Sequence, residues 1–408
     1  MDLLYQRCAG LDVHKDTVVA AVRIVTGVKV CHEVQTFPTQ TKGLLELSDF
    51  LARHECTHVA MEATGVYWKP VWHVLEGQFE LVLANASHIR NVPGRKTDVN
   101  DAVWIADLLA HGLIRSSFVP PAEIQHMRDL TRTRKQLVRE IAQHTLRIQK
   151  TLEDANVKIT GVITDLMGAS GRAILSALVQ GQHDPEVLAD LAKGRLRAKR
   201  EALIEGLRGN VTEHHRFMIK MHLGMVSGLE QAIKEVDERI EHVLEPFRKV
   251  VPLLTTIPGV SDIVAHVIVS EIGVEMTRFP TAKHLVSWAG LCPRNDESAG
   301  KRRSTRVRHG APWLKTTLVQ SAWAASRAKT TYLRAQFQRI KSRRGPKKAA
   351  VAVAASILTS AYYMIRDGVA YRDLGPAHFD TRNHEKTTKR LLRRLEELGV
   401  HVEVRAAA

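Results

Sequence analysis

Paired cysteines, aromatic residues and a leader-like start are what this sequence of 408 residues has least of, and each shortage excludes something. Its four cysteines, Cys8, Cys31, Cys56 and Cys292, stand singly with no CxxC spacing. That argues against a zinc site or a disulfide framework and leaves buried free thiols as the expectation. Aromatic residues make up only 5% of a composition that is otherwise ordinary for a soluble protein, 44% hydrophobic and 25% charged. No apolar run reads as long enough to cross a bilayer, so membrane spanning is set aside. The opening MDLLYQRCAGLDVHKD lacks the basic, apolar and small-residue sections of a signal peptide, and the expected compartment is the cytoplasm. Twenty histidines show no repeated ligand spacing, so no metal is assigned to them.

Charge is what the chain has in excess. The formal balance is +16, and it is uneven: from Arg294 to Lys348 there are sixteen Lys and Arg against two acids, Asp296 and Glu297. A field so concentrated favours a polyanionic partner, because each neutralised phosphate releases condensed counterions. A solvated basic face is the bland alternative, but solubility does not require such segregation.

A chain of this length predicts two or three structural units. Residues 7–111 alternate strand-like and helix-like patterns in the order β-β-β-α-β-α-β-α, which predicts a mixed sheet covered by helices. Thr97 or Asp98 is a plausible cap for the last helix and Gly112 a plausible stop. From Ile124 to Ala155 the strand signal disappears and apolar residues recur at threes, fours and sevens. A second stripe, Val226, Leu229, Ile233, Val236, Ile240, Val243 and Phe247, alternates strictly by three and four. Both predict coiled-coil helices, packed either on each other or between protomers. Residues 161–210 read as shorter helical pieces. Beyond Pro246 and Pro252 follow a helix, a tight turn at Ile257-Pro258-Gly259-Val260, another helix, a basic helical stretch interrupted at Gly345-Pro346, and an Ala-rich helix. The expected division is residues 1–118, a helical linker over 119–250, an all-α part over 251–370, and a polar tail over 371–408.

Three motifs carry chemistry. Asp12 in GLDVHK ends the first predicted strand, Glu62 in MEATG ends the fourth, and Asp98 and Asp101 in KTDVNDA open a helix. Neighbouring strand ends converge in an αβ sheet, and the i, i+3 spacing puts Asp98 and Asp101 on one helix face. Four gathered carboxylates repel unless a cation neutralises them, and hard oxygen donors suit Mg²⁺, one ion or a pair, which can polarise a phosphate. Singly, Asp12 can close a turn and Asp98 can cap its helix. The turn at residues 257–260 is the second motif. A Pro-Gly turn between helices is commonly structural, but beside a basic lobe Gly259 allows the close backbone approach of a phosphate-binding helix-hairpin-helix. The third is WAGLCPRNDESAGKRRSTRVRHG, where Ser298 precedes Lys301, Arg302, Arg303, Arg306 and Arg308. A hydroxyl becomes a nucleophile when a base or metal takes its proton and cations hold the developing charge, although a serine in a polar loop is by itself usually only that. Tyr67 and Trp68 are read as core aromatics or base-stacking ones, and His14 and Lys15 as possible phosphate contacts.

GLDVHK, MEATGVYW and KTDVNDA, in this order, resemble the RuvC-like DEDD domain of the bacterial insertion-sequence-110 family of transposases, bridge-RNA-guided recombinases. The likeness extends over nearly the whole chain. It implies an α/β RuvC/RNase H-like N-terminal domain with helices on both faces of a mixed sheet, a coiled-coil segment, and an all-α C-terminal transposase domain with a helix-hairpin-helix-like motif. Asp12, Glu62, Asp98 and Asp101 match the family's acidic positions and imply bound Mg²⁺. Ser298 matches the family's nucleophilic serine in the segment that follows Gly-Leu-x-Pro. This chain departs there, carrying Glu297-Ser298-Ala299 where many members have Ser-Ser-Gly, so Ser304 stands as a lesser second candidate. The resemblance further implies donor and target DNA, a structured non-coding guide RNA, and a homo-oligomer, dimer or tetramer, whose subunits share a composite site. Two other readings remain open on the residues: a RuvC-like structure-specific endonuclease that uses water, and a non-catalytic nucleic-acid-binding protein.

Overall fold

The computed structural model describes residues 3–400 apart from 28, 64, 86–88, 90–100, 115, 294–295, 299, 305, 308–309 and 383. The chain divides into two compact units, Met1–Val119 and Pro120–Ala408.

The first unit runs β1 (Arg7–Val13), β2 (Thr17–Thr26), β3 (Lys29–Pro38), α1 (Thr41–Arg53), β4 (His58–Glu62), α2 (Trp68–Leu75), β5 (Glu80–Ala84) and α3 (Asp101–Ala110). Its five strands lie in the order β3-β2-β1-β4-β5. Short connections make β1, β2 and β3 an antiparallel meander, while the crossovers through α1 and α2 return β4 and β5 parallel to β1. Side chains alternate between the two faces. Ala9, Leu11 and Val13 of β1 join Val59 and Met61 of β4 against Leu47 and Leu51 of α1 and Leu75 of α2. Cys8, Ala60 and Ala84 point the other way, into a second cluster with Ile105, Leu108 and Leu109 of α3. The mixed sheet therefore carries helices on both faces, as the pattern predicts. Gly112, at φ +63, follows the end of α3, and its N–H bonds the Leu109 carbonyl.

The second unit is built on two long helices, α4 (Ala122–Asp154) and α8 (Glu213–Val243), with α5 (Ala169–Val179), α6 (Pro185–Asp190) and α7 (Arg200–Leu207) between them in sequence. The long pair is antiparallel, since Arg134 bonds Asp237, His144 Nδ1 meets His222 Nδ1 at 3.1 Å, and Asp154 meets His215. The two apolar stripes thus face each other within one chain. Ile148 and Leu152 of α4 and Ile219 of α8 close a core with Ile174, Leu175 and Leu203. After this pair come α9 (Val250–Thr255), α10 (Asp262–Ile272), α11 (Ala282–Trp288), the strands β6 (Asp296–Ser298) and β7 (Lys301–Ser304), α12 (Pro312–Ala325), α13 (Tyr332–Arg344), α14 (Pro346–Asp367), α15 (His378–Thr381) and α16 (His384–Glu397). Glu271 of α10, 1% exposed, accepts a bidentate pair from Arg132 at 2.8 and 2.9 Å and ties α4 to α10. Burial pulls the neighbouring Arg128 guanidinium down to about 10, against the opposing pull of Glu271.

Three expectations are corrected. The C-terminal part is not wholly helical: β6 and β7 form a two-stranded antiparallel hairpin, and Gly300 at its turn takes φ +72, a conformation that costs glycine nothing. An apolar run of spanning length exists, because α14 has 22 residues and contains an 18-residue window with a mean hydropathy of 1.4, long and apolar enough to cross a membrane by length and composition. Half of that window is buried, and Val353, Ile357 and Leu358 are fully enclosed, which is equally the behaviour of a core helix. The thiols are also not all buried. Cys8 and Cys56 are, and desolvation pushes them up to about 11 and 12, but Cys31 is exposed and Cys292 half-buried.

Burial lowers His222, helped by His144 and Arg147 beside it, and lowers His266 against the opposing pull of Glu241, Asp262 and Asp237. A histidine whose folded pKa is depressed binds its proton more readily in the unfolded chain, so stability is complete above the ordinary histidine range. It is lost as pH falls below about 6.5. The thermal transition of the second unit is expected to drop between about pH 7.5 and 5.5, and His222→Gln is expected to flatten that dependence. Calorimetry across that window checks it, and an unchanged slope in the variant contradicts the role of His222.

Candidate catalytic and nucleic-acid site

Strand register decides where the first two acids lie. Leu11 of β1 pairs with Met61 of β4 in parallel, so Asp12 and Glu62 are the next residues along adjacent strands, which run about 4.8 Å apart. Both share the face of Cys8, Gly10 and Ala60, the face covered by α3. Gly10 lets that helix come unusually close: a Cβ there would lie 2.2 Å from the Ala102 carbonyl oxygen and 2.4 Å from the Ala106 nitrogen. Ala102 meets Gly10 while the Ala106 carbonyl accepts from Cys8 Sγ, so α3 runs back along β1 and Asp101, its first described residue, lies towards the end of the sheet that carries Asp12 and Glu62. Asp101 Oδ1 is buried, and Asp12 Oδ2 lies 3.2 Å from His14 Nε2. Asp98 falls outside the described residues.

Asp12, Glu62 and Asp101 offer only carboxylate oxygens, the donor set of a hard divalent cation, and by donor chemistry they fit Mg²⁺. Among the described residues no three His, Cys, Asp or Glu side chains stand close enough together to hold an ion. The topology therefore gathers three of the four acids at one sheet end without closing them into a ligand set.

The nearby aromatics divide. Trp68 packs against the core and meets Trp72 edge-on at 5.9 Å, whereas Tyr67 is 41% exposed. In the second unit Ser298 ends β6 opposite Lys301, with Glu297 opposite Arg302 and Asp296 opposite Ser304. Lys301 and Arg306 are exposed, while Arg308 lies outside the described residues. Arg303 lies in β7, and Ser304 Oγ accepts the Arg306 backbone N–H at 3.2 Å. Gly259, at φ +85, is pressed against α12: a Cβ would lie 2.5 Å from the Ser321 carbonyl oxygen, and Ser321 Oγ donates to the Gly259 carbonyl at 2.6 Å. That packing alone accounts for the glycine.

A second basic cluster went unremarked in the sequence. Arg132, Lys135 and Arg139 of α4 surround the Trp313 ring at 5.8, 5.9 and 5.3 Å. Lys135 Nζ donates to Thr316 and Thr317, and burial, with Arg139 nearby, holds it below the usual lysine value. The signal was present as an i, i+3, i+7 spacing of cations on α4, but nothing local said that it would face a tryptophan 174 or more residues away.

Residues 9–157, a range that includes all four acids, match a transposase family model, the DEDD transposase of IS110. Residues 251–338, which include the β6–β7 hairpin, match a model described as transposase IS116/IS110/IS902 family. The chain belongs to the IS110 family of transposases. A protein of Streptomyces coelicolor named "insertion element IS110 uncharacterized 43.6 kDa protein" is 35% identical over 130 residues, 31% of this chain and 31% of that one. The aligned stretch is thus about a third of the relative's length. Two family matches in one chain, one on the sheet with the acids and one on the basic helical part with the hairpin, join the two halves that the sequence motifs had linked only by resemblance.

Proposed function

We propose that this chain is a DNA transposase that cuts and rejoins strands by phosphoryl transfer, with Asp12, Glu62, Asp98 and Asp101 as its acidic set and Ser298 as its nucleophile. The observation that carries the reading is the β1–β4 register, which sets Asp12 beside Glu62 under the start of α3. Mg²⁺ held by these carboxylates would supply polarisation of the phosphate and neutralise charge developing on it. The protein's own groups do the rest. Lys301, Arg302, Arg303, Arg306 and Arg308 bind and orient the DNA backbone, and the turn at Gly259 adds main-chain donors in the manner of a helix-hairpin-helix. Ser298 Oγ loses its proton to a base and forms a bond to phosphorus, while the ester bond to the leaving strand breaks and its oxygen takes a proton. The phosphoserine diester keeps the energy of the broken bond, so an incoming strand hydroxyl can reverse the step without an external energy source.

The basic stretch of the sequence carries no recognisable base-reading motif, which supports sequence choice by a structured guide RNA pairing with donor and target DNA. A homo-oligomer would bring acids and serine from different subunits to one phosphodiester, and α4 and α8 would act as a coiled coil in that assembly. The proposed setting is the cytoplasm, on nucleic acid and away from membranes.

The test is to trap the covalent species. Incubated with donor DNA, guide RNA and Mg²⁺, the protein is expected to give a denaturant-resistant protein–DNA adduct whose modified peptide maps to Ser298 by mass spectrometry. An adduct at Ser304 moves the nucleophile, and efficient cutting with no adduct favours water.

A further inference from the structure

The β6–β7 hairpin is continued at its foot by a bridge between Pro293 and Val307. Beside that foot opens a cleft of about 720 Å³ between α11, the following segment and the first turns of α14. Its floor is apolar, formed by Val286, Leu291, Val307 and Ala352. Its rim is cationic, formed by Arg344, Lys347 and Lys348, which are all exposed. No acid lines the cleft, and none of the three cations makes an ion pair among the described residues. Gly345, at φ +83, reverses the chain between α13 and α14 and brings the last cation of one helix to the first cations of the next. The amino end of the 22-residue α14 adds its own partial positive charge.

An apolar floor under an unneutralised basic rim is complementary to a ligand with one flat apolar part and anionic links on either side. An unpaired nucleotide is such a ligand, whereas duplex DNA hides its base faces in the stack. Distance puts the cleft within reach of the strand undergoing reaction. Pro293 is five residues from Ser298 along the chain, a reach of at most about 18 Å. A B-form strand advances about 3.4 Å per nucleotide, so the cleft lies within roughly five nucleotides of the serine.

We propose that this cleft holds an unpaired nucleotide of the DNA strand next to the bond that Ser298 attacks, with the base on the Ala352 floor and its phosphates on Arg344, Lys347 and Lys348. The inference rests on the proposed role of Ser298 only for the identity of the strand, and its test measures binding without reaction.

Full-length protein carrying Ser298→Ala is titrated with fluorescein-labelled oligothymidylate, with oligouridylate of the same length, and with a duplex, each followed by anisotropy over a range of salt. Adding Ala352→Leu fills the floor with aliphatic bulk, gives a base no aromatic face to stack on, and leaves every charge in place. It is expected to weaken the deoxy single strand by about tenfold or more, and the duplex by less than about twofold. Lys347→Gln and Lys348→Gln, both at exposed positions that cannot unfold the core, are each expected to lower the single-strand salt slope by about 0.7. The proposal is overturned if single-strand binding in Ala352→Leu stays within about twofold of the parent or tightens, if the slopes of the lysine variants are unchanged, if duplex and single strand weaken together, or if the ribo strand alone responds. Should the binding results hold and no Ser298 adduct exist, the cleft stands and the nucleophile assignment falls. The converse removes the cleft and leaves the reaction.

Discussion

Ser298→Ala is expected to lose strand joining and the covalent adduct together, by about 10³-fold or more, while DNA binding stays within about twofold. The hydroxyl is the only group of that side chain able to form a bond to phosphorus, and removing one oxygen leaves every charge of the segment in place. Asp12→Asn is expected to lose as much activity for a different reason. It keeps size and shape but removes a negative charge from the acidic set, so cation-dependent activation fails with the serine intact. Ser304→Ala serves as the contrast and is expected to react normally. Joining and cutting assays on defined donor DNA, with denaturing gels for the adduct, separate the outcomes. Full cutting by Ser298→Ala would assign the attack to water. Full activity in Asp12→Asn would remove the catalytic role of the sheet altogether.

Gly10→Ala is expected to destabilise the first unit by about 3 kcal/mol, the upper part of the range for overpacking, and to abolish cutting although it changes no acid. The added methyl would meet two backbone atoms of α3, at 2.2 and 2.4 Å, and backbone cannot turn aside as a flexible side chain can. The helix must lift, and Asp101 at its start lifts with it, away from the strand ends that carry Asp12 and Glu62. Gly224→Ala gives the opposite control: it lies inside α8 with nothing within 4 Å of the added atom, and it is expected to gain roughly 0.5–1 kcal/mol from helix propensity alone. Denaturant midpoints measure both, and cutting assays on folded Gly10→Ala measure the second effect. A variant of normal stability and activity would show that close approach of α3 does not matter.

The residues themselves were enough to state the order of elements in the first unit, since apolar alternation changes to a helical period wherever β gives way to α. They were also enough to locate the two long apolar stripes and the basic stretch from Arg294 to Lys348. The three acidic motifs stood out because each falls where a strand ends or a helix begins, and such positions depend on local pattern. Long-range contacts were not legible in the same way. Periodicity says which face of α4 and α8 is apolar but not which surface covers it, and it was tertiary packing that paired the two stripes within one chain. The serine segment reads as a loop because polar residues with glycine carry no alternation, and only the pairing of Asp296 with Ser304 makes it a hairpin. Sequence alone gave Gly10 no distinction, because its function is the space it leaves for a helix that begins ninety-one residues later. Sequence by itself determined the elements and the chemical types at their ends, because these follow from neighbouring residues. Tertiary structure alone decided the strand register, the closeness of α3 and the ring of cations on Trp313, because those depend on atoms far apart in the chain meeting at van der Waals distance.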